Sequence, residues 1–347
     1  MMVHKLDPLT DSRWPEFLQR HSRASIFHTR GWLQALQRTY GYDPVAFTTS
    51  ASGTELSDAV VFCEIKSWLT GWRLVSLPFS DHCHPLASGE ELKAILRFLH
   101  DHRGRDGDKY TEIRPVSEEG MFEDQLDFGV YEAFSLHAID LRPSLETIYH
   151  NFHDSCVRRK IKKAEREKLT LESGNSQDLL HKFRHLLVLT RRRHKLPPQP
   201  ASWFNNLVEC LGDKLTIHLL SKDGAPAASI MTLSYKNSLV YKYGCSDARF
   251  HNLGGMPMLF WEAIQFGKQI GMEQFDLGRS ALNDPGLIAF KSHLGAVASE
   301  LKYYRDPAPR LKRVPSPPKL QWARQALARL PEPMLIGAGN LLYRHLG

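Results

Sequence analysis

A chain of 347 residues, 42% hydrophobic and 24% charged, has the make-up of an ordinary soluble protein with room for two domain cores. Five scattered cysteines, Cys63, Cys83, Cys156, Cys210 and Cys245, form no C-x-x-C pair, which argues against a disulfide framework or a zinc ribbon; no metal is expected, and a reducing cytoplasm fits. No run of about 18 apolar residues occurs and MMVHKLDPLTDSRW has no apolar signal core, so neither a membrane span nor export is expected.

The net charge of +7 is unevenly placed. Residues 155 to 168 carry seven Lys/Arg against two Glu, 182 to 195 carry six with no acid, and the tail from 306 carries seven against two acids, so the rest of the chain is acidic on balance. Basic segments on an acidic body suit polyanionic partners: substrate phosphates, tRNA or an anionic membrane face.

In chain order, Ser25 to Trp32 reads as a turn into a helix with Trp32, Leu33, Leu36 and Tyr40 at helical spacing and Gly41 as its stop. Residues 44 to 49 and 58 to 66 form a hairpin around Ser52-Gly53, and 72 to 77 add a strand. The segment Ser80-Asp81-His82-Cys83-His84 is the most polar-reactive cluster in the chain. His82 and His84 could chelate a metal with a third ligand, and Cys83 could act as a nucleophile if a base were near. The favoured functional reading has Asp81 or His82 on the acceptor side of a cleft, taking a proton from an amine. A helix near 89 to 103 and strands near 109 to 114 and 134 to 141 complete the first half.

Ser144 caps a short helix, and Asp154 or Ser155 caps the basic helix that follows, with Val157, Ile161 and Ala164 as a thin apolar stripe. Arg158 and Arg159 fall in its first turn, where free backbone N–H groups favour an anion. Helices at 177 to 195 and 201 to 211 precede a meander of strands at 214 to 221, 226 to 235 and 238 to 245. Gly254-Gly255 then open a helix over 256 to 270, a place for a phosphate or merely a packed helix start. A strand ending in Phe275-Asp276-Leu277 runs into Gly278-Arg279-Ser280, Asp284 caps a short helix carrying Phe290-Lys291, Gly295 stops it, and residues 299 to 304 form a half-exposed strand. In the tail, 319 to 330 reads as a basic amphipathic helix that lies on an anionic bilayer or docks on the protein's own body.

Three runs near the C-terminus, D-L-G-R-S at 276 to 280, G-L-x-x-F-K-x-x-L-G-A at 286 to 296 and L-x-Y-Y at 301 to 304, resemble the signature of the FemAB-like branch of the GNAT-type acyltransferases, including BioF2-like acetyltransferase domains and exopolysaccharide-associated relatives. V-R-R-x-I-x-K-A-E-R at 157 to 166 resembles the basic motif that opens their second domain. The resemblance implies an α/β (α+β) fold of two tandem GNAT-like domains, each a mixed, mostly antiparallel sheet flanked by helices, over 1–142 and 143–305, with a basic tail over 306–347. It implies transfer of an acyl group from acyl-CoA or aminoacyl-tRNA to an amine on a small-molecule, lipid-linked or nucleotide-linked sugar, in envelope or exopolysaccharide synthesis.

Carried onto this sequence, the resemblance makes Lys291 the charge that stabilises the donor under attack, and Phe290, Asp276, Arg279, Arg158, Arg159, Lys163 and Tyr243 substrate-binding residues. Gly254 and Gly255 are the cofactor-binding candidates. Where Fem ligases carry an acid before proline, this chain has Ile113-Arg114-Pro115, a base in place of an acceptor-binding acid. Lys291 is read as exposed at its tip, so that its removal costs within roughly 1 kcal/mol of stability. The rival reading is a non-catalytic double-GNAT adaptor on an anionic surface. The expected location is cytoplasmic, at the inner membrane face if the tail binds lipid.

Overall fold

The computed structural model describes residues 1–104, 108–116, 128–308 and 331–345. In chain order the elements are β1 (His4–Leu6), α1 (Trp14–Arg20), α2 (Arg30–Tyr40), β2 (Asp43–Thr48), β3 (Val60–Ser67), β4 (Gly71–Val75), α3 (Gly89–His102), β5 (Asp108–Ile113) and β6 (Gly129–Asp140). There follow α4 (Leu145–His150), α5 (Arg159–Arg166), β7 (Thr170–Gly174), α6 (Gln177–Arg193), α7 (Ala201–Leu211), β8 (Leu215–Lys222), β9 (Ala225–Tyr235) and β10 (Ser238–Ser246). The chain then runs through α8 (Gly255–Gln269), β11 (Gln274–Ala281), α9 (Pro285–His293), β12 (Val297–Asp306) and α10 (Glu332–Leu342).

Two compact units divide these residues. The first holds residues 1–134 with 301–308 and 340–345, and the second holds 135–300 with 331–339. The boundary thus falls inside β6 rather than at 142/143, and the end of β12 returns to the first unit.

In the first unit the strand order is β1-β2-β3-β4-β5-β12, antiparallel except for the parallel pair β4/β5. The local signals act as read: the Thr29 hydroxyl accepts from the Trp32 N–H, Gly41 ends α2 at φ +70°, and Trp32, Leu33, Leu36 and Tyr40 are buried. The core packs Phe47, Phe62, Leu92, Ile95 and Leu99 between sheet and α3.

Arg114 is not a base offered to a ligand. Its guanidinium pairs with Glu112 at 2.8 Å and donates to the Leu77 and Ser80 carbonyls at 2.7 and 3.0 Å. Its charge is answered by Glu112, a buried acid two residues earlier in β5.

The second unit orders its strands β6-β11-β10-β9-β8-β7. The β10/β11 pair is parallel, and β7/β8, β8/β9 and β9/β10 are antiparallel. Each unit is therefore a mixed, mostly antiparallel sheet with helices, as expected. Helix α8 lays Leu259, Phe260, Ala263, Ile264 and Gly267 on the sheet at helical spacing, against Ile230, Leu239, Phe275 and Leu277. Registered pairing of β10 with β11 ends at Val240/Asp276, although β10 runs on to Ser246 and β11 to Ala281. The strands part there.

No helix among the described residues is long and apolar enough to cross a membrane. The amphipathic segment read at 319 to 330 lies outside the described residues.

Candidate active site

The start of α8 is built by a close approach that only glycine permits. The 3₁₀ turn Ala248–Leu253 ends at Gly254, whose φ is +83°, and a Cβ there would sit 2.2 Å from the Lys160 carbonyl oxygen of α5. Gly254 is also the N-cap of α8, and no side chain caps that helix start. The first N–H groups of a helix without such a cap attract anions, strengthened by the helix dipole. Gly254→Ala is therefore expected to cost about 2–4 kcal/mol, from the left-handed backbone and the overlap with a main-chain atom together. Urea unfolding of the variant against the parent measures it, and equal midpoints would mean that α5 and α8 do not meet this closely.

This helix start opens on a cavity of about 300 Å³ lined by Lys160, His251, Gly254, Gly255, Met256 and Phe290, with Ala227, Ala228 and Ser246 from the strand ends. Phe290 is half-buried and meets the Phe260 ring edge-on at 5.4 Å. Three of the expected residues, Gly254, Gly255 and Phe290, thus share one wall. Lys160 and His251 join them without having been singled out; the basic run hinted at Lys160, but only the packing of α5 on α8 selects it among its neighbours.

Lys291 departs from expectation. It is 2% exposed, and its ammonium donates to the Gly278 and Arg279 carbonyls at 2.8 and 3.0 Å. The helix α9, capped by the Asp284 carboxylate on the Leu287 N–H, presents Lys291 inward to the end of β11. Removing it is therefore a core change and not a surface one. Asp276 is buried too, and its carboxylate accepts from the Gly278 N–H at 2.7 Å.

Beside this lysine lies His137, fully buried. Burial first, and the Lys291 charge second, push its pKa down and so favour the neutral imidazole. Its Nδ1 and the Ser280 hydroxyl are buried without a hydrogen-bond partner among the described residues.

The basic helix begins earlier than expected. Asp154–Arg158 form a π-helical turn capped by His153, whose Nδ1 accepts from the Cys156 N–H at 3.3 Å, so neither Asp154 nor Ser155 is the cap. The Arg158 and Arg159 N–H groups are consequently inside the helix, bonded to the His153 and Asp154 carbonyls, and present no free anion nest. Their side chains pair with Asp154 at 3.3 and 3.0 Å. Arg159 and Lys163 keep exposed surface, whereas the Arg158 Nε is buried without a partner among the described residues. Tyr243 is packed between Phe204 and Lys242 and its hydroxyl accepts from Trp203 Nε1 at 2.8 Å, away from the cavity lining.

Asp81 and His82 belong to the first unit. The Asp81 carbonyl accepts from the Tyr303 hydroxyl at 2.5 Å, and the His82 ring meets Phe27 edge-on. The two side readings of that segment fail on burial. His84 is buried with Nε2 at 2.9 Å from an Arg23 nitrogen, which is no place for a cation. Cys83 does have a base near it, His28 Nε2 at 3.4 Å, but burial pushes the thiol up to about 12 and His28 down to about 3. A protonated thiol beside a neutral imidazole is not a nucleophile at neutral pH.

The profile of the acetyltransferase (GNAT) domain family matches residues 154–291, which include α5, the α8 cavity and Lys291. Among solved structures, FemX is similar over 87% of this chain and 97% of its own, at 13% identity and a TM-score of 0.66. A tandem GNAT protein from the clavulanic acid biosynthesis pathway covers 90% of this chain and 100% of its own (9% identity, TM-score 0.55). L-PGS from Bacillus licheniformis covers 93% and 98% (16% identity, TM-score 0.54). At such identities the likeness is one of fold. None of the curated proteins compared matches the chain.

Proposed function

We propose that this chain, with its match to the acetyltransferase (GNAT) domain family over residues 154–291 and its FemX-like double fold, is an acyltransferase that moves an acyl or aminoacyl group from a phosphate-bearing donor to an amine on a sugar- or nucleotide-linked acceptor. The observation that carries this reading is the uncapped start of α8, opening on the 300 Å³ cavity beside Lys160. A donor pyrophosphate there meets backbone N–H groups and one ammonium, and the acyl arm runs past Phe290 toward the place where β10 and β11 part. Acyl-CoA suits that cradle; aminoacyl-tRNA brings the same phosphate chemistry on a larger body.

In the transfer itself the amine attacks the activated carbonyl, and negative charge gathers on its oxygen. Lys291 contributes fixed positive charge from within the protein, where low polarity strengthens it, and holds the end of β11 in place through its two carbonyl contacts. Asp276 and Arg279 shape that strand end. Arg158, Arg159 and Lys163 supply charge for an acceptor phosphate, and the proton that the amine loses passes to a general base. The family resemblance supports envelope or exopolysaccharide synthesis as the setting of this reaction.

A thermal-shift screen with acyl-CoAs, UDP-sugars and charged tRNA tests the reading, because a ligand at about 100 times its Kd stabilises by about 2.7 kcal/mol. Silence across all three classes would favour the adaptor. If a donor binds, Lys160→Glu is expected to weaken it at least about tenfold, roughly 1.4 kcal/mol, with the loss shrinking as salt rises. Folding should be unchanged, since Lys160 is exposed. Undiminished donor affinity in Lys160→Glu would move the phosphate away from α8.

A further inference from the structure

We propose that His153, Cys156 and His293 form a binding site for a single thiolate-preferring divalent metal ion, with Zn²⁺ as the occupant their chemistry fits. The three ligand atoms all lie within 4.8 Å of one another, with His153 exposed and the other two half-buried, so an ion reaches them from solvent. They come from two elements that already touch. His153 and Cys156 bracket the start of the π-helical turn, and His293 is the last residue of α9. The His153 N–H donates to the His293 carbonyl at 2.9 Å, and the two imidazole rings lie 4.5 Å apart between centroids.

Zinc bonds of about 2.3 Å to sulfur and 2.0–2.1 Å to nitrogen put tetrahedral ligands about 3.3–3.7 Å apart, so closure asks for side-chain movement on the order of 1 Å. The exposed His153 ring can supply it. One thiolate and two imidazoles are a borderline-soft set that suits Zn²⁺ and disfavours Mg²⁺ and Ca²⁺. On binding, the Cys156 S–H gives its proton to solvent and an S–metal bond replaces it, with no change of oxidation state. Three protein ligands leave the fourth position to water.

The consequence is mechanical. The ion would tie the end of α9, which carries Phe290 and Lys291, to the turn that starts the basic helix, two elements that already meet through the main-chain bond between His153 and His293. The site lies outside the α8 cavity lining and does not depend on the acyl-transfer reading.

The test uses the tag-free full chain, freed of metal with a chelator and titrated with Co²⁺ and then Zn²⁺. One equivalent of Co²⁺ should give a thiolate-to-cobalt charge-transfer band with the intense d–d absorption of a four-coordinate ion. Zn²⁺ should abolish both signals at one equivalent and raise Tm. Cys156→Ser should remove the charge-transfer band and weaken Zn²⁺ at least tenfold. His293→Ala should weaken it comparably, as should His153→Asn, which retains a capping acceptor and so covers the case of a misfolded cysteine variant. Lys160→Glu should bind Zn²⁺ as the parent does, which separates this site from the donor cavity. A parent chain without the charge-transfer band, or a folded Cys156→Ser with parental Zn²⁺ affinity, overturns the proposal.

Discussion

Lys291→Ala is expected to slow transfer by on the order of 10² to 10³ and also to lower stability by about 2–4 kcal/mol. Both effects come from one geometry. The ammonium is buried and donates to two main-chain carbonyls where β11 ends, so truncation removes both of these hydrogen bonds together with the positive charge. Lys291→Met separates the contributions, because it keeps the apolar stem and discards the charge. It should recover part of the packing and none of the rate. Lys291→Arg should restore only part of the rate, since a planar fork does not fit a place made for a compact ammonium. Urea unfolding and a single-turnover assay with the donor found by thermal shift measure the two quantities. Full activity in Lys291→Ala would remove the charge from the mechanism, and unchanged stability would contradict the buried hydrogen bonds.

Glu112→Gln should be the most damaging isosteric change in the first unit, costing about 3–5 kcal/mol. The carboxylate is buried between two guanidiniums, Arg114 at 2.8 Å and Arg305 at 2.7 Å. Arg305 itself is sandwiched by the Tyr110 and Tyr131 rings, with its guanidinium 3.9 and 3.3 Å from their centroids. A neutral amide cannot answer either charge, and both cations are left in low polarity. Burial alone would raise the Glu112 pKa, but the Arg114 and then the Arg305 charges outweigh it and hold the carboxyl below its ordinary value.

The direction of the pH effect follows. A carboxyl depressed on folding adds stability that is present above its unfolded pKa and is lost as pH falls through the folded one. Parent stability should therefore drop on the acid side of the ordinary carboxylate range, and Glu112→Gln should flatten that drop. Parallel acid limbs in the two proteins would show that Glu112 is not held by its arginines.

Much of the local structure was legible because the responsible forces act within a few residues. The hydroxyl of Thr29 and the carboxylate of Asp284 cap their helices, Gly41 and Gly295 turn left-handed at helix ends, and the apolar positions of α2 and α8 face inward at the spacing that marks them. The double fold was legible through short motifs and is matched by FemX and the tandem GNAT protein. Local signals fell short where two competed: Asp154 and Ser155 looked like caps, but a π turn placed the helix start at His153.

What sequence could not decide was which polar groups spend their hydrogen bonds inside. Nothing in Phe290-Lys291 tells that the lysine turns in to the end of β11, since an amphipathic side chain of that length reaches either way. Ile113-Arg114-Pro115 likewise reads as an offered base until folding places Glu112 and Arg305 against one another across β5 and β12. The same holds for Lys160, one of seven basic residues in its run, which lines the cavity because Gly254 lets α8 press on the α5 backbone. Charge and periodicity are properties of the chain, whereas burial and partnership depend on residues far apart in sequence and exist only once the core has closed around them.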